Sequence, residues 1–70
     1  MNINAITHLI DEGYLNRNIT AYIGAGEFIG EWSAVDLSDE TIRIRYDDSL
    51  VIIDYKSIIA IEVIDRNIGD

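Results

Sequence analysis

Two short segments near the C-terminal end, residues 50–53 and 58–61, are apolar at every position. A strand with two apolar faces is normally buried on both sides. A chain of 70 residues buries only about 60% of the surface that its unfolded form exposes, so its own core is small. We therefore expect one face of these strands to contact another molecule.

The composition leaves association with other subunits as the main source of extra burial. The chain is 49% apolar and contains fifteen isoleucines, but it has no cysteine and only one histidine, His8. Small domains usually add disulfides, a metal or oligomerisation to a limited core. Disulfides are excluded, and a single histidine without a ligand of suitable spacing does not form a zinc site. We expect neither a metal nor a cofactor.

The net charge of -8, with five Lys and Arg residues in all, disfavours a general affinity for nucleic acid. Phosphate binding depends on clustered cations, although a local basic patch stays open as an alternative. The adjacent carboxylates fall in turns or at a helix end, where they are solvated and unsuited to general acid–base work. These pairs are Asp11/Glu12, Asp39/Glu40 and Asp47/Asp48. We do not expect an enzyme.

Nothing in the sequence indicates export or a membrane. Met1 is followed by polar residues without a basic segment, which is not the pattern of a signal peptide. No apolar run approaches the roughly 20 residues that a membrane-spanning helix needs. The chain is expected to be a single cytoplasmic domain, residues 1–70, with no membrane partner.

Residues 2–12 are predicted to form a short helix. Asn2 or Asn4 can cap its N-terminus, and Gly13 can end it in the left-handed conformation. Apolar residues recur at helical spacing along one side. They are Ile3, Ile6, Leu9 and Ile10. His8 lies off this stripe and is expected to be a partly exposed helix residue.

Residues 19–64 are predicted to form five β-strands, of which the last two are apolar on both faces, and residues 65–70 are predicted to be a polar tail. The strands are predicted at residues 19–23, 27–36, 41–46, 50–53 and 58–64, with a single 3₁₀ turn at 54–57. Gly30, inside the second strand, is expected to mark a bulge or sharp bend. Phe28 and Trp32 share its face and are predicted to be core residues, with an exposed aromatic patch for a partner as the alternative. Tyr22 and Tyr46 suit either a core edge or the surface.

Two motifs occur in an order that indicates a family resemblance. A glycine turn at residues 24–26 is followed by Gly30 in mid-strand and by Asp36, and later by the segment Tyr-Lys-Ser-Ile-Ile at residues 55–59. This arrangement resembles the Sm and Sm-like proteins, and the last segment is similar to Tyr-Lys-His-Ala-Ile of the bacterial Hfq branch. The matching stretch covers most of the chain.

The resemblance implies a mostly β fold, in which a short N-terminal helix precedes a strongly bent, five-stranded antiparallel small barrel of the SH3-like kind. It also implies a homo-oligomeric ring of roughly five to seven subunits, in which strand four of one subunit pairs with strand five of the next. A closed ring removes both unpaired edges. The implied interface residues are Leu50, Val51, Ile52, Ile53, Ile59, Ile61 and Val63.

The resemblance further implies weak binding of single-stranded RNA at the pore, with Tyr55 as a stacking surface and Lys56 as a repeated cation. The candidate RNA-binding residues are Lys56, Tyr55, Ser57, Asp36, Arg43 and Arg45. The two arginines can equally be a solvated strand face.

The chain departs from the family pattern in three places. Residues 37–40 lack the family's base-binding asparagine and aromatic residue, Ser57 replaces a histidine, and the Arg-Gly of the eukaryotic motif is missing. A ring that serves as a protein–protein scaffold is therefore the main alternative to RNA binding, and a monomeric SH3-like adaptor is a third.

Overall fold

A short helix followed by five antiparallel strands forms the protein, as the sequence predicts. The computed structural model describes residues 1–64, and the predicted tail at 65–70 lies outside the described residues. The elements are α1 (Ile3–Asp11), β1 (Asn18–Ile23), β2 (Gly26–Asp36), β3 (Thr41–Tyr46), β4 (Ser49–Asp54), a 3₁₀ turn (Tyr55–Ser57) and β5 (Ile58–Val63). Most boundaries differ from the predicted ones by a single residue.

Helix α1 is bounded by the two signals read from the sequence. The side chain of Asn2 caps the N-terminus by accepting a hydrogen bond from the backbone N–H of Ala5 at 2.9 Å. Gly13 has a φ of 91°, and its N–H bonds the carbonyl of Ile10, while the N–H of Tyr14 bonds that of Leu9. This paired arrangement satisfies carbonyls that a helix end would otherwise leave unbonded.

The five strands form one antiparallel sheet in the order β4-β3-β2-β1-β5. Three consecutive hairpins build most of it, and β5 returns to pair with β1. Strands β4 and β5 are therefore the two edges, and within residues 1–64 they do not pair with each other. The architecture is that of a small bent barrel whose sheet stays open.

The core lies between α1 and the concave side of the sheet. Its buried members come from the helix, all five strands and the 3₁₀ turn: Ile6, Ile19, Ala21, Trp32, Ile42, Ile44, Ile53, Tyr55 and Ile58. Alternating apolar residues in the strands supply most of this set, because every second side chain points to the same face. Trp32 is completely buried, which confirms its predicted core position.

Of the bulge or sharp bend expected at Gly30, the bulge lies at Ser33 instead. The register between β2 and β3 shifts between Trp32 and Ala34, so Ser33 is the extra residue. Gly30 has a different role, since a β-carbon there would lie only 2.5 Å from the carbonyl oxygen of Arg45. The glycine permits close approach of two strands rather than an irregular register.

The N-terminus is hydrogen-bonded to the segment that joins β4 and β5. The α-ammonium group of Met1 donates a hydrogen bond to the carbonyl of Tyr55 at 2.8 Å, and it also bonds the carbonyl of Ile58. These contacts hold the start of α1 against the 3₁₀ turn. The relative position of the two edge strands is therefore supported from the helix side.

Candidate interaction surfaces

The β4 edge exposes two large aliphatic side chains. Leu50 is 44% exposed and Ile52 is 57% exposed. Both lie on the outer face of the sheet, because they are the cross-strand partners of Arg45 and Arg43. Such pairs place their side chains on the same face. The β4 edge therefore combines an unpaired backbone with an exposed apolar surface.

The β5 edge carries the most exposed large apolar residue described, Ile59, at 72%. The register between β1 and β5 is irregular at this point, since Tyr22 pairs with Ala60 and Ile23 pairs with Ile58. Ile59 is thus the extra residue of a bulge at the start of the strand. An irregular edge limits indiscriminate pairing with other strands.

The seven predicted interface residues fall into three groups. Leu50, Ile52 and Ile59 are exposed, Val51, Ile61 and Val63 are partly buried against the core, and Ile53 is buried. The exposed three lie at opposite edges of one sheet. Within residues 1–64, β4 and β5 do not pair with each other, so these three side chains stay exposed in a single copy.

A hydrogen bond joins β1 to the outer side of β5. The Tyr22 hydroxyl donates to Oε1 of Glu62 at 2.9 Å. This bond to a carboxylate raises the pKa of Tyr22 above the ordinary value of a phenol. The bond fixes the orientation of the Glu62 carboxylate and leaves its second oxygen available.

Lys56 is compensated by neighbouring carboxylates. Its Nζ lies 2.9 Å from Oε1 of Glu40 and 3.8 Å from Oδ2 of Asp54. The hydrogen bond to Glu40, followed by the charge of Asp54, raises the pKa of Lys56. The side chain is cationic, but two carboxylates offset its charge locally.

Tyr55 does not offer a stacking surface, contrary to the role that the resemblance implies. Its side chain is 1% exposed, and its hydroxyl is buried without a hydrogen-bond partner within the described part of the chain. A base cannot reach the ring unless the core opens. The neighbouring Ser57 is exposed.

The remaining candidates for RNA binding are divided between a turn and a strand. Asp36 accepts hydrogen bonds from the backbone N–H groups of Ser38 and Asp39, both at 3.0 Å, so its carboxylate organises the turn after β2. Arg43 and Arg45 are exposed on β3. In residues 1–64, neither arginine has a carboxylate within 4.0 Å.

The backbone brings the turn at residues 37–40 next to Lys56. The N–H of Tyr55 donates to the carbonyl of Glu40 at 2.9 Å. This contact explains the Lys56–Glu40 ion pair, which sequence reasoning missed. No local pattern predicts it, because the two residues are 16 positions apart.

A cleft of about 500 Å³ opens between β2 and the β3–β4 hairpin. Its lining consists of Glu27, Phe28, Ile29, Tyr46, Ser49 and Val51. Phe28 is 36% exposed, so its predicted place in the core is wrong, and Tyr46 is 63% exposed. The reason is that β3 pairs with β2 only from Glu31 onward. Among the residues that the structure describes, residues 26–30 of β2 therefore have no neighbouring strand on the β3 side.

No family model, no curated protein and no solved structure matches this chain. Within the described range, no helix is long and apolar enough to cross a membrane. Residues 1–64 also contain no cluster of three or more His, Cys, Asp or Glu side chains suited to a metal ion. The function is therefore inferred from the surfaces of the molecule itself.

Proposed function

We propose that the chain is a non-enzymatic subunit of a cytoplasmic homo-oligomeric ring of the Sm-like type, which serves as a protein–protein scaffold. The observation that carries the proposal is the pair of open sheet edges, β4 and β5, each with exposed aliphatic residues. Pairing of β4 in one copy with β5 in the next would extend the sheet from subunit to subunit.

Edge pairing of this kind would supply the additional buried surface that a small chain lacks. An open edge presents unpaired N–H and C=O groups, and exposed aliphatic side chains beside it promote aggregation. A head-to-tail contact that closes into a ring satisfies every edge at once. Burial of Ile52 and Ile59 would contribute about 1.5–3 kcal/mol for each side chain that is fully covered.

The scaffold role is favoured over RNA binding by the charges around the 3₁₀ turn. Lys56 is offset by Glu40 and Asp54, and the ring of Tyr55 is buried. Each copy also contributes a net charge of -8, which repels phosphate. A ring of such subunits presents an acidic surface that suits proteins with basic segments.

Substitution of an edge isoleucine tests the assembly. Ile59→Lys and Ile52→Lys place a charge where an apolar contact is proposed, so each is expected to weaken association about tenfold or more. Both side chains are exposed in a single copy, so the variants should fold. Sedimentation velocity at micromolar concentration gives the oligomeric state, and circular dichroism checks the fold.

Ile3→Lys is the matched control, because Ile3 is 46% exposed and belongs to α1 rather than to either edge strand. It should assemble like the unmodified protein. A monomeric unmodified protein at these concentrations would contradict the proposal and favour a monomeric adaptor. An equal loss of association in all three variants would show that the edges are not the interface.

RNA binding is the second candidate function, and the observation in its favour is the pair of exposed arginines on β3, Arg43 and Arg45. Under the scaffold proposal, uridine-rich and adenine-rich oligonucleotides should not bind the intact oligomer at low salt. Fluorescence anisotropy measures this. Binding that is lost in Arg43→Ala or Lys56→Ala would support RNA binding and contradict the scaffold role.

A further inference from the structure

We infer that Glu62 of one copy pairs with Arg43 of the next, and that this ion pair selects head-to-tail edge pairing over symmetric pairing. The inference rests on the proposed assembly and specifies its register. The charges on the outer face of the sheet differ between its two edges. Arg43 and Arg45 lie one strand in from the β4 edge, whereas Glu62 lies on the β5 edge itself.

The positions of buried residues restrict how β5 can be added to β4. Ile61 and Val63 pack against the core from β5, and Val51 and Ile53 face the core from β4. A slip of one residue would turn every side chain to the opposite face. Only registers that differ by two residues keep both apolar sets on the core side.

One of these registers pairs the largest number of core-facing aliphatic residues. With the two strands antiparallel, it places Ile61 opposite Ile53 and Val63 opposite Val51, which sets Glu62 opposite Ile52. A shift by two residues in one direction would set Glu62 opposite Asp54, where two carboxylates repel. The other shift leaves one aliphatic pair instead of two.

The favoured register brings Glu62 within reach of Arg43. Arg43 is the cross-strand partner of Ile52 on the same face, so the two charged residues are separated by two strand spacings, about 10 Å between their Cα atoms. The long arginine side chain and the glutamate side chain together span this distance. Tyr22 already orients the carboxylate through Oε1, so Oε2 can accept from the guanidinium group.

Symmetric pairing would bring like charges together. Two β5 edges would place Glu62 directly opposite its own copy, where like charges are destabilising. Two β4 edges would leave Arg43 and Arg45 on both sides of the seam, about 14 Å apart across three strand spacings, and without Glu62 as a partner. Head-to-tail pairing is the arrangement that sets carboxylate against guanidinium, and it is the arrangement that can close into a ring.

Exchange of the two charged side chains tests the proposed ion pair between Glu62 and Arg43. Glu62→Arg and Arg43→Glu should each weaken association about tenfold, since each turns an attraction into a repulsion. The double variant Glu62→Arg/Arg43→Glu should recover to within about threefold of the unmodified protein. Sedimentation equilibrium at low salt measures the association constants, and circular dichroism confirms folding.

Asp11→Arg is the control for net charge, because it makes the same change as Glu62→Arg at the exposed end of α1. It reduces the repulsion between acidic copies and should not weaken association. The ion pair is contradicted if the unmodified protein assembles and the single variants associate as strongly as it does. It is also contradicted if the double variant does not regain the association constant. In both cases the ring proposal stands. A monomeric unmodified protein would contradict both.

Discussion

Replacement of Trp32 by alanine is expected to remove a large part of the protein's free energy of unfolding, about 3–5 kcal/mol. Trp32 is the largest fully buried side chain and is 0% exposed. Removal of a buried tryptophan side chain costs about 3–5 kcal/mol. A domain of this length has a free energy of unfolding of only about 3–10 kcal/mol, so the loss takes up a large part of its stability.

Trp32 also joins the loop after α1 to the sheet. Its backbone N–H donates to the carbonyl of Arg17 at 2.9 Å, and its own carbonyl accepts from the N–H of Asn16 at 2.7 Å. The indole Nε1 donates to the carbonyl of Ala34 at 3.1 Å. A cavity at this position would therefore loosen the bulge at Ser33 as well as the core.

The measurement is urea unfolding followed by circular dichroism, with Ile59→Lys present in every sample so that association does not add to stability. Trp32→Phe is the matched control, because it keeps an aromatic ring in the core and loses only the indole donor and some volume. It should cost about 1–2 kcal/mol. A Trp32→Ala variant within about 1 kcal/mol of its parent would contradict the assignment of Trp32 as the central core residue.

Replacement of Gly30 by alanine is expected to lower the free energy of unfolding by about 2–3 kcal/mol. The added β-carbon would lie 2.5 Å from the carbonyl oxygen of Arg45 and 2.8 Å from Cγ2 of Ile44. The first of these atoms belongs to the backbone of β3, so it cannot move without displacing the strand. Urea unfolding in the same Ile59→Lys background measures the effect.

Gly26→Ala provides the control on the same strand. No heavy atom lies within 4 Å of a β-carbon built there, so the substitution should change stability by no more than about 0.5 kcal/mol. An equal loss in Gly26→Ala would indicate that the strand needs glycine flexibility in general. A neutral Gly30→Ala would show that β2 and β3 do not approach as closely as the structure has them.

The local elements could be predicted because their signals are themselves local. Asn2 and Gly13 bound α1 through hydrogen bonds to residues a few positions away. The alternation of Ile42 and Ile44 with Arg43 and Arg45 identified β3 and its buried face, since side-chain direction repeats every two residues. The 3₁₀ turn followed from a connection too short for a full helix.

The surfaces were harder to predict because exposure depends on where a neighbouring strand ends. Phe28 lies on the same face as the buried Trp32, yet it borders an open cleft, since β3 does not extend along the first part of β2. The reverse holds for Tyr55, which occupies a turn between two strands but is buried. Neither outcome has a signature in the residues adjacent to it.

Local patterns along the chain were enough to predict the order of helix, strands and turns, to exclude disulfides, and to indicate more apolar strand surface than one copy can bury. The folded structure was needed to show that β4 and β5 are separate open edges, that Glu40 offsets Lys56, and that Tyr22 orients Glu62. Periodicity and capping act over a few residues along the chain. Contacts between residues tens of positions apart depend on strand order and register, which are set by how the whole sheet packs against its core.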